Sequence, residues 1–175
     1  MIPGCTLLLA IAITTSIYSY SIKTIGGNER PLITYQGKKM LFITLPVTQN
    51  SSADSMLYSI DSLGDAHEGT LKIIGVPSYE DGYTNAQKNS LRQWYRTKLD
   101  SSIVITEGMK TRKTSSNQAP LFAWLTNVAQ NGHFDEDVTG PGMKFFIREN
   151  GELFGVLKQR TRLSNPVVDR MLQSQ

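Results

Sequence analysis

The sequence predicts an α/β domain in which a mixed central β-sheet is flanked by helices. Two nearly continuous apolar runs, at residues 40–47 and 70–77, have the composition of central strands covered on both faces. Stretches with apolar residues at spacings of three and four follow these runs, as expected of helices that pack on a sheet. A final pair of alternating segments is joined by Asn150 and Gly151, which favour a tight antiparallel turn. Strand–helix alternation followed by a hairpin predicts a mixed sheet.

The first half of the chain is predicted to form a hairpin, a strand, a helix and a second strand. Alternating segments at residues 17–22 and 31–35 are separated by a Gly-Gly-Asn cluster at 26–28, which is typical of a hairpin turn. The apolar run at 40–47 is the first central strand. The helix is predicted over residues 51–66, and its apolar stripe consists of Ala53, Met56, Leu57, Ile60 and Leu63.

A second helix is predicted after the strand at 70–77. Thr84 and Gln87 have the spacing of a capping box, in which each side chain bonds the backbone amide of the other. The inward face of this helix is expected to carry Leu91, Trp94, Tyr95 and Leu99. A short strand over residues 102–106 and a polar loop over 107–118 follow the helix.

The last third is predicted to contain two helices separated by a hairpin. Pro120 is expected in the first turn of a helix that reaches Ala129 and ends at Gly132. The hairpin spans residues 144–157. Ser164 is predicted to cap the last helix.

The composition is that of a single globular domain and does not indicate nucleic-acid binding. A chain of 175 residues can bury a substantial core, and 39% hydrophobic with 19% charged residues is ordinary. The net charge of +3 is too small and too scattered to attract nucleic acid. The densest basic run, formed by Lys110, Arg112 and Lys113, is interpreted as a solvated loop, with phosphate binding as the alternative.

Residues 1–15 are predicted to be an apolar leader, and residues 16–175 the domain. The apolar run from residue 5 to residue 15 is about eleven residues long, which fits a signal peptide better than a membrane span of roughly 20. We therefore expect an extracytoplasmic protein, periplasmic or secreted. An uncleaved N-terminal anchor and a buried first strand in a cytoplasmic protein are the alternatives.

Five segments between Ser16 and the C-terminus carry a resemblance to a known family. They are SIYSYSIK at 16–23, GVP at 75–77, TN at 84–85, APLFAWL at 119–125 and KFFIRENG at 144–151. In this order they resemble motifs of the glutathione peroxidases. The resemblance implies the thioredoxin-like fold of that family, with an N-terminal β-hairpin. It also implies the family's activity, a peroxidase (an oxidoreductase) of the oxidative-stress response.

The resemblance places the family's four catalytic positions on Gln49, Glu80, Gly140 and Pro141. In the family, a peroxidatic cysteine or selenocysteine follows the first buried strand, in a segment like N-V-A-S-x-C, and Gln49 stands at that position. A glutamine partner in G-F-P-C-N-Q-F corresponds to Glu80. The family's Trp-Asn pair falls on Gly140 and Pro141.

The chain carries no thiol at the position where the family's chemistry needs one. Its only cysteine, Cys5, lies in the predicted leader. An amide has no thiolate to attack a peroxide oxygen, and a carboxylate at position 80 would raise the pKa of a neighbouring thiol. We therefore predict a pseudoenzyme with a binding or structural role and no cofactor. Its partner, a protein or a small molecule, is expected at the former active-site face, and a membrane only through an N-terminal anchor.

The alternative is a divergent peroxidase that uses a non-thiol or metal-assisted route. A dense acidic patch precedes Gly140, and two more carboxylates are expected at the same end of the sheet, so oxygen ligands and an imidazole could hold a divalent cation. The other interpretation is a solvated loop. The candidate metal ligands are Glu80, Asp81, His133, Asp135, Glu136 and Asp137.

Three further residues are candidates for a binding surface. Tyr79 and Tyr83 flank Asp81 in a loop at the former active-site end, where they could contact a partner. Packing of the two rings on the sheet is the alternative. Serine hydrolase chemistry is not favoured, because neither His67 nor His133 belongs to a recognisable triad motif.

Overall fold

The computed structural model describes residues 16–174, which form a five-stranded sheet with helices on both faces. The predicted leader at residues 1–15 lies outside the described residues. Within residues 16–174, every helix is too short or too polar to cross a membrane.

The sheet is mixed, as the sequence predicts. Its spatial order is β5-β4-β3-β6-β7, with β3 parallel to β4 and antiparallel to β6. The parallel pair β4–β5 and the antiparallel pair β6–β7 extend it to the two edges. The strands are β3 (Lys39–Leu45), β4 (Leu71–Pro77), β5 (Val104–Ile105), β6 (Lys144–Ile147) and β7 (Leu153–Leu157).

The N-terminal hairpin is present but shorter than predicted. It consists of β1 (Ser21–Lys23) and β2 (Glu29–Pro31), with Ile22 opposite Arg30. The predicted strand residues on either side, Ile17–Ser19 and Leu32–Tyr35, form 3₁₀ turns instead. The strand pairing ends at Pro31, although the Leu32 N–H still donates to the Tyr20 carbonyl at 2.9 Å, and the turns bury Ile17 and Leu32 completely.

Within residues 16–174, five α-helices surround the sheet. The helix predicted over residues 51–66 is confirmed, and the Asn50 side chain caps it by accepting the Ala53 N–H at 2.9 Å. The helices are α1 (Ser51–Ala66), α2 (Lys88–Arg96), α3 (Pro120–Thr126), α4 (Val128–Asn131) and α5 (Pro166–Gln173).

Two helix starts differ from the prediction. A 3₁₀ turn over Asn85–Gln87 precedes α2, and Thr84 Oγ1 bonds Gln87 Oε1 at 3.0 Å, so the expected capping box does not form. The cap of α5 is Asn165, which accepts the Val167 N–H at 3.0 Å, rather than Ser164. An Asn side chain reaches the amide two residues ahead readily, which explains its preference for this position.

The helix predicted from Pro120 to Ala129 is interrupted. Asn127 adopts an extended backbone conformation, and its side chain accepts the Ala129 N–H at 2.9 Å. This local bond competes with the helical ladder and divides the segment into α3 and α4. Gly132 ends α4 in the left-handed conformation, as predicted.

Two apolar layers cover the two faces of the sheet. Leu41 and Ile43 of β3 point to the layer of α1, α2 and α5, whereas Met40 and Phe42 point to the layer of α3. This alternation is the period of two that a strand imposes. Trp94 is buried, which confirms its predicted place on the inward face of its helix, and Trp124 is buried on the other side of the sheet.

Candidate functional site

The four family positions converge on one end of the sheet. Leu45 pairs with Pro77 at the carboxyl ends of β3 and β4, and Gln49 and Glu80 follow these strands by four and three residues. Gly140 and Pro141 precede β6, whose amino end lies at the same edge because β6 is antiparallel to β3. The carboxyl ends of parallel strands are where open α/β sheets bind their ligands.

Gln49 occupies the place where a helix amino end would favour a negative charge. It is exposed and lies next to Asn50, the cap of α1. The partial positive charge at the start of a helix lowers the pKa of a thiol placed there. The amide of Gln49 stays neutral and does not ionise to a nucleophilic anion, so this electrostatic advantage is not used for a nucleophile.

Gly140 contributes backbone atoms only. Its φ of +149° suits glycine, and its carbonyl oxygen accepts a hydrogen bond from the buried Thr44 hydroxyl at 2.8 Å. The same hydroxyl oxygen accepts the Met143 N–H at 2.9 Å. Thr44 therefore ties β3 to the 140–143 segment, and this backbone conformation disfavours a large residue at position 140.

Glu80 is fixed by hydrogen bonds to a neighbouring loop. Its carboxylate accepts the hydroxyls of Ser78 (2.6 Å) and Ser115, and both of its oxygens lie 3.1 Å from the Thr111 nitrogen. Burial by itself would raise the pKa of Glu80, but the hydrogen bonds from Ser115, Ser78 and the Thr111 N–H outweigh it and lower the pKa to about 2. The carboxylate is thus ionised and occupied in holding the loop.

Asp81 forms an ion pair that is shielded from solvent. Its Oδ1 lies 2.6 Å from a terminal nitrogen of Arg112, and its side chain is only 8% exposed. Burial raises the pKa of Asp81, and the attraction of Arg112 offsets part of this increase. Together, Glu80 and Asp81 bind the loop of residues 107–118 to the end of β4.

The acidic patch does not assemble into a metal site. Asp135 pairs with the Lys113 side chain at 2.6 Å, and Asp137 accepts the backbone N–H of Lys113 at 2.9 Å. Glu136 lies 3.4 Å from the Lys158 amine. Each of these carboxylates faces a cation or an amide that compensates its charge.

His133 and the two carboxylates after β4 are separately engaged as well. His133 Nε2 lies 2.9 Å from Glu152 at the far side of the hairpin turn, whereas Glu80 and Asp81 bind the loop after β5. Among residues 16–174, no group of three or more His, Cys, Asp or Glu side chains could hold a metal ion. The six candidate ligands are therefore not brought together, because neighbouring lysines, hydroxyls and amides pair with them individually.

Of the predicted binding-surface residues, only Tyr79 is available to a partner. Tyr79 is 39% exposed, and its hydroxyl bonds Asn85 Oδ1 at 3.0 Å. Tyr83 is 2% exposed and packs edge-on against Tyr79, with ring centroids 5.1 Å apart. The ring of Tyr83 also lies against Gly108, so the alternative interpretation, packing on the sheet, holds for Tyr83.

A cleft that the sequence interpretation did not identify lies beside this end of the sheet. It has a volume of about 450 Å³ and opens between α1 and the segment after β7. Lys144, which is 3% exposed, forms part of its lining, and its amine donates to the Gly142 carbonyl at 2.6 Å. Burial lowers the pKa of Lys144 to about 8. The other lining residues that matter here are Ser52, Ser55, Ser59 and Arg162.

The signal for this cleft was present in the sequence. Lys144 and Phe146 occupy alternate positions of β6 and therefore share the face covered by α1. A lysine at a position of β6 that faces the core predicts a buried charge. Its environment could not be read from the sequence, because the serines that line the cleft come from a distant helix.

Comparison with known proteins supports this fold. No protein-family model matches the chain. A curated relative, a probable glutathione peroxidase 2 from Arabidopsis thaliana, is 24% identical over 148 residues, which cover 83% of this chain and 85% of the relative. The crystal structure of T. cruzi GPX1 superposes with a TM-score of 0.64 at 12% identity, covering 90% of this chain and 95% of that chain.

A disulfide oxidoreductase is structurally similar as well. A secreted Mycobacterium tuberculosis disulfide oxidoreductase superposes with a TM-score of 0.55 at 12% identity, covering 87% of this chain and 93% of that chain. The chain is thus a glutathione-peroxidase-like protein with a thioredoxin fold.

Proposed function

We propose that this glutathione-peroxidase-like protein has lost the thiol chemistry of its relatives and acts by binding. The observation that carries the proposal is the glutamine at position 49, together with the absence of any cysteine from residues 6–175. A peroxide is reduced by transfer of two electrons from a thiolate or selenolate, which is itself oxidised to a sulfenic or selenenic acid. A side-chain amide has no corresponding oxidised form.

The other family positions support the same conclusion. Glu80 is ionised and held by Ser78, Thr111 and Ser115, so its carboxylate is committed to a structural task. Gly140 offers no side chain, and its carbonyl oxygen accepts the Thr44 hydroxyl. These positions now stabilise the end of the sheet rather than a reacting sulfur.

The ligand that the geometry favours is a small molecule with an anionic or acceptor group. The cleft of about 450 Å³ has the size of a small-molecule site, and its walls carry hydroxyls. Lys144 and Arg162 are its charged residues, and no carboxylate lines it within residues 16–174. An acceptor group that reached Lys144 would find a buried ammonium whose present partners are backbone carbonyls.

A peroxidase assay tests the loss of activity. The 175-residue chain and its Cys5→Ser variant should both consume hydrogen peroxide at the background rate, with glutathione or with thioredoxin as reductant. Turnover that survives Cys5→Ser but disappears in Gln49→Ala would contradict the proposal. Turnover that disappears in Cys5→Ser would also contradict it, because Cys5 would then supply the thiol.

We also propose that residues 1–15 act as a leader that directs the domain out of the cytoplasm. The apolar run of this segment and the secreted disulfide oxidoreductase among the structural relatives support the proposal. Fusion of residues 1–30 to a reporter enzyme that is active only after export should give a signal. Retention of the fusion in the cytoplasm would overturn this part.

A further inference from the structure

A second cleft lies away from the former active-site end. It has a volume of about 200 Å³ and opens between the hairpin β1–β2, the start of β4 and the helix α2. Lys72 is the second residue of β4, whereas Glu80 follows the last residue of that strand. Ile25 and Gly26 line one wall of the cleft.

Four cationic side chains line this cleft, and no acidic side chain does so within residues 16–174. None of the four belongs to an ion pair in the described part of the chain. They come from three separate elements, so the fold itself collects them. They are Arg30 on β2, Lys72 on β4, and Arg92 and Arg96 on α2.

The cations repel one another in the unliganded protein. Burial lowers the pKa of Lys72, and the nearby charges of Arg30, Lys38 and Arg96 lower it further. Arg92 and Arg96 are spaced by four residues on one helix, an arrangement that destabilises a helix when the charges are alike. Asp100 attracts Lys72 and Arg96, but its carboxylate accepts the Ser102 N–H and does not line the cleft.

Two of the four cations are held in place by the protein. Arg96 donates to the carbonyls of Asp100 (2.8 Å) and Ile103 (3.1 Å), and Lys72 donates to the Ser102 carbonyl. The Lys72 amine also lies 5.6 Å from the centre of the Tyr35 ring. These contacts fix positive charge at the edge of the cleft without neutralising it.

The other two cations, Arg30 and Arg92, are exposed and can contact a ligand directly. A Cβ on Gly26 would lie 3.8 Å from the Arg92 guanidinium, so this group rests over the glycine and near the open wall of the cleft. A guanidinium presents parallel N–H groups that match two oxygens of a phosphoryl group.

We propose that this cleft binds a phosphoryl dianion, either free phosphate or the head group of a phosphomonoester. Four convergent cations with no carboxylate favour a ligand of charge −2 over a monoanion. The volume lies below the roughly 300 Å³ at which drug-sized ligands begin to fit, which favours a small head group. Binding offsets the repulsion between cations that come from β2, β4 and α2.

The proposal is tested by calorimetry and thermal unfolding of the 175-residue chain. Inorganic phosphate and a phosphomonoester such as glycerol phosphate are compared with chloride at equal ionic strength, because screening alone also relieves repulsion. Phosphate should raise the unfolding midpoint above the chloride value. The tighter of the two phosphoryl probes identifies the natural form of the ligand.

Three variants make the test specific to the cleft. Arg92→Gln and Arg30→Gln should each weaken phosphate binding on the order of tenfold, since each removes a charge-assisted contact. Without ligand, Arg92→Gln should unfold at the same temperature or higher, because one repelling charge is gone. Arg160→Gln makes the same charge change after β7, at the opposite edge of the sheet, and should bind as the parent does.

Two results would overturn the proposal. One is a phosphate effect no larger than that of chloride. The other is an equal loss of binding in Arg160→Gln and Arg92→Gln, which would show a general effect of net charge. Neither result bears on peroxide turnover, so this inference and the proposed function fail independently.

Discussion

The carboxylate of Glu80 straddles the backbone amide of Thr111, with each carboxylate oxygen 3.1 Å from the Thr111 nitrogen. This contact joins the end of β4 to the loop of residues 107–118. The Ser115 hydroxyl donates to the same carboxylate, which adds a second tie to the loop. Glu80, which the sequence resemblance places at a family catalytic position, thus supports this loop.

Glu80→Ala should destabilise the protein by about 2 kcal/mol, because it leaves partly buried hydroxyl and amide donors without their charged acceptor. Urea unfolding monitored by circular dichroism gives the change in the free energy of unfolding. Glu136→Ala is a matched control, since Glu136 forms only an exposed pair with Lys158 and should cost less than about 1 kcal/mol. Equal effects of the two substitutions would contradict the structural role of Glu80.

The pH dependence of stability should report Glu80 separately. Its pKa in the folded protein is about 2, below the ordinary value of 4.5. A lowered carboxyl pKa contributes stability that is fully present above pH 4.5 and is lost as the pH falls through 2. The difference in unfolding free energy between the parent and Glu80→Gln should therefore shrink between pH 4.5 and pH 2. A difference that stays constant over this range would refute the assignment.

Gln49→Cys should install a reactive thiol without restoring a peroxidase. The position adjoins the amino end of α1, which lowers the pKa of a thiol. Hydrogen bonds from Ser78, Thr111 and Ser115 compensate the opposing charge of Glu80, so the pKa of the new thiol should fall below its ordinary value. Turnover with glutathione should nevertheless stay close to that of a control thiol from Ser52→Cys, because the partners at positions 80 and 140 are missing. Peroxide consumption and thiol titration measure the two effects. A large excess of turnover for Gln49→Cys over Ser52→Cys would show that this end of the sheet still supports the chemistry.

Gly108→Ala should destabilise the protein by about 1–3 kcal/mol through overpacking. A Cβ at this position would lie 2.1 Å from a ring carbon of the buried Tyr83. Tyr83→Ala vacates that space, so the two substitutions should be strongly non-additive in a double-mutant cycle. Gly64→Ala is the control, because its Cβ would meet no atom nearer than 3.4 Å and helical alanine is favoured.

The protein should become more stable as the pH rises above 8, because the buried ammonium of Lys144 loses its proton there. Its pKa is about 8 in the folded state and 10.5 ordinarily, so the unfolded chain binds more protons between these values. The free energy of unfolding should therefore rise from pH 8 to pH 10.5, and this rise should be absent in Lys144→Met. Lys110→Met, at a more exposed lysine of the 107–118 loop, is the matched control and should keep the rise.

The sequence predicted the strands and helices well where the apolar pattern is unbroken, either continuous along a central strand or periodic along one face of a helix. The apolar runs of β3 and β4 and the stripe of α1 have this property, and each lies where the pattern places it. The pattern failed at 17–19 and 32–35, because apolar residues buried in 3₁₀ turns leave no periodic signal. It also failed at Asn127, because the hydrogen bond of the Asn side chain to the backbone is not visible in an apolar pattern.

The site was less predictable because it depends on contacts distant in sequence. The resemblance located Gln49 and Glu80 at one end of the sheet, but it could not show that Ser115 and Thr111 occupy the Glu80 carboxylate. The same limit explains the dispersed metal candidates and the buried Tyr83. The basic cleft was missed since its arginines and lysine are scattered along the chain from residue 30 to residue 96.

The loop of the β1–β2 hairpin covers the edge of the sheet that β5 forms. β5 has only two residues, and the N–H of Ile25 donates to the Ile105 carbonyl at 2.8 Å while Thr24 bridges Thr106. The chain thus uses the hydrogen-bonding groups that a border strand would offer to a foreign strand. At this border the protein is protected against the strand-to-strand growth that leads to aggregates.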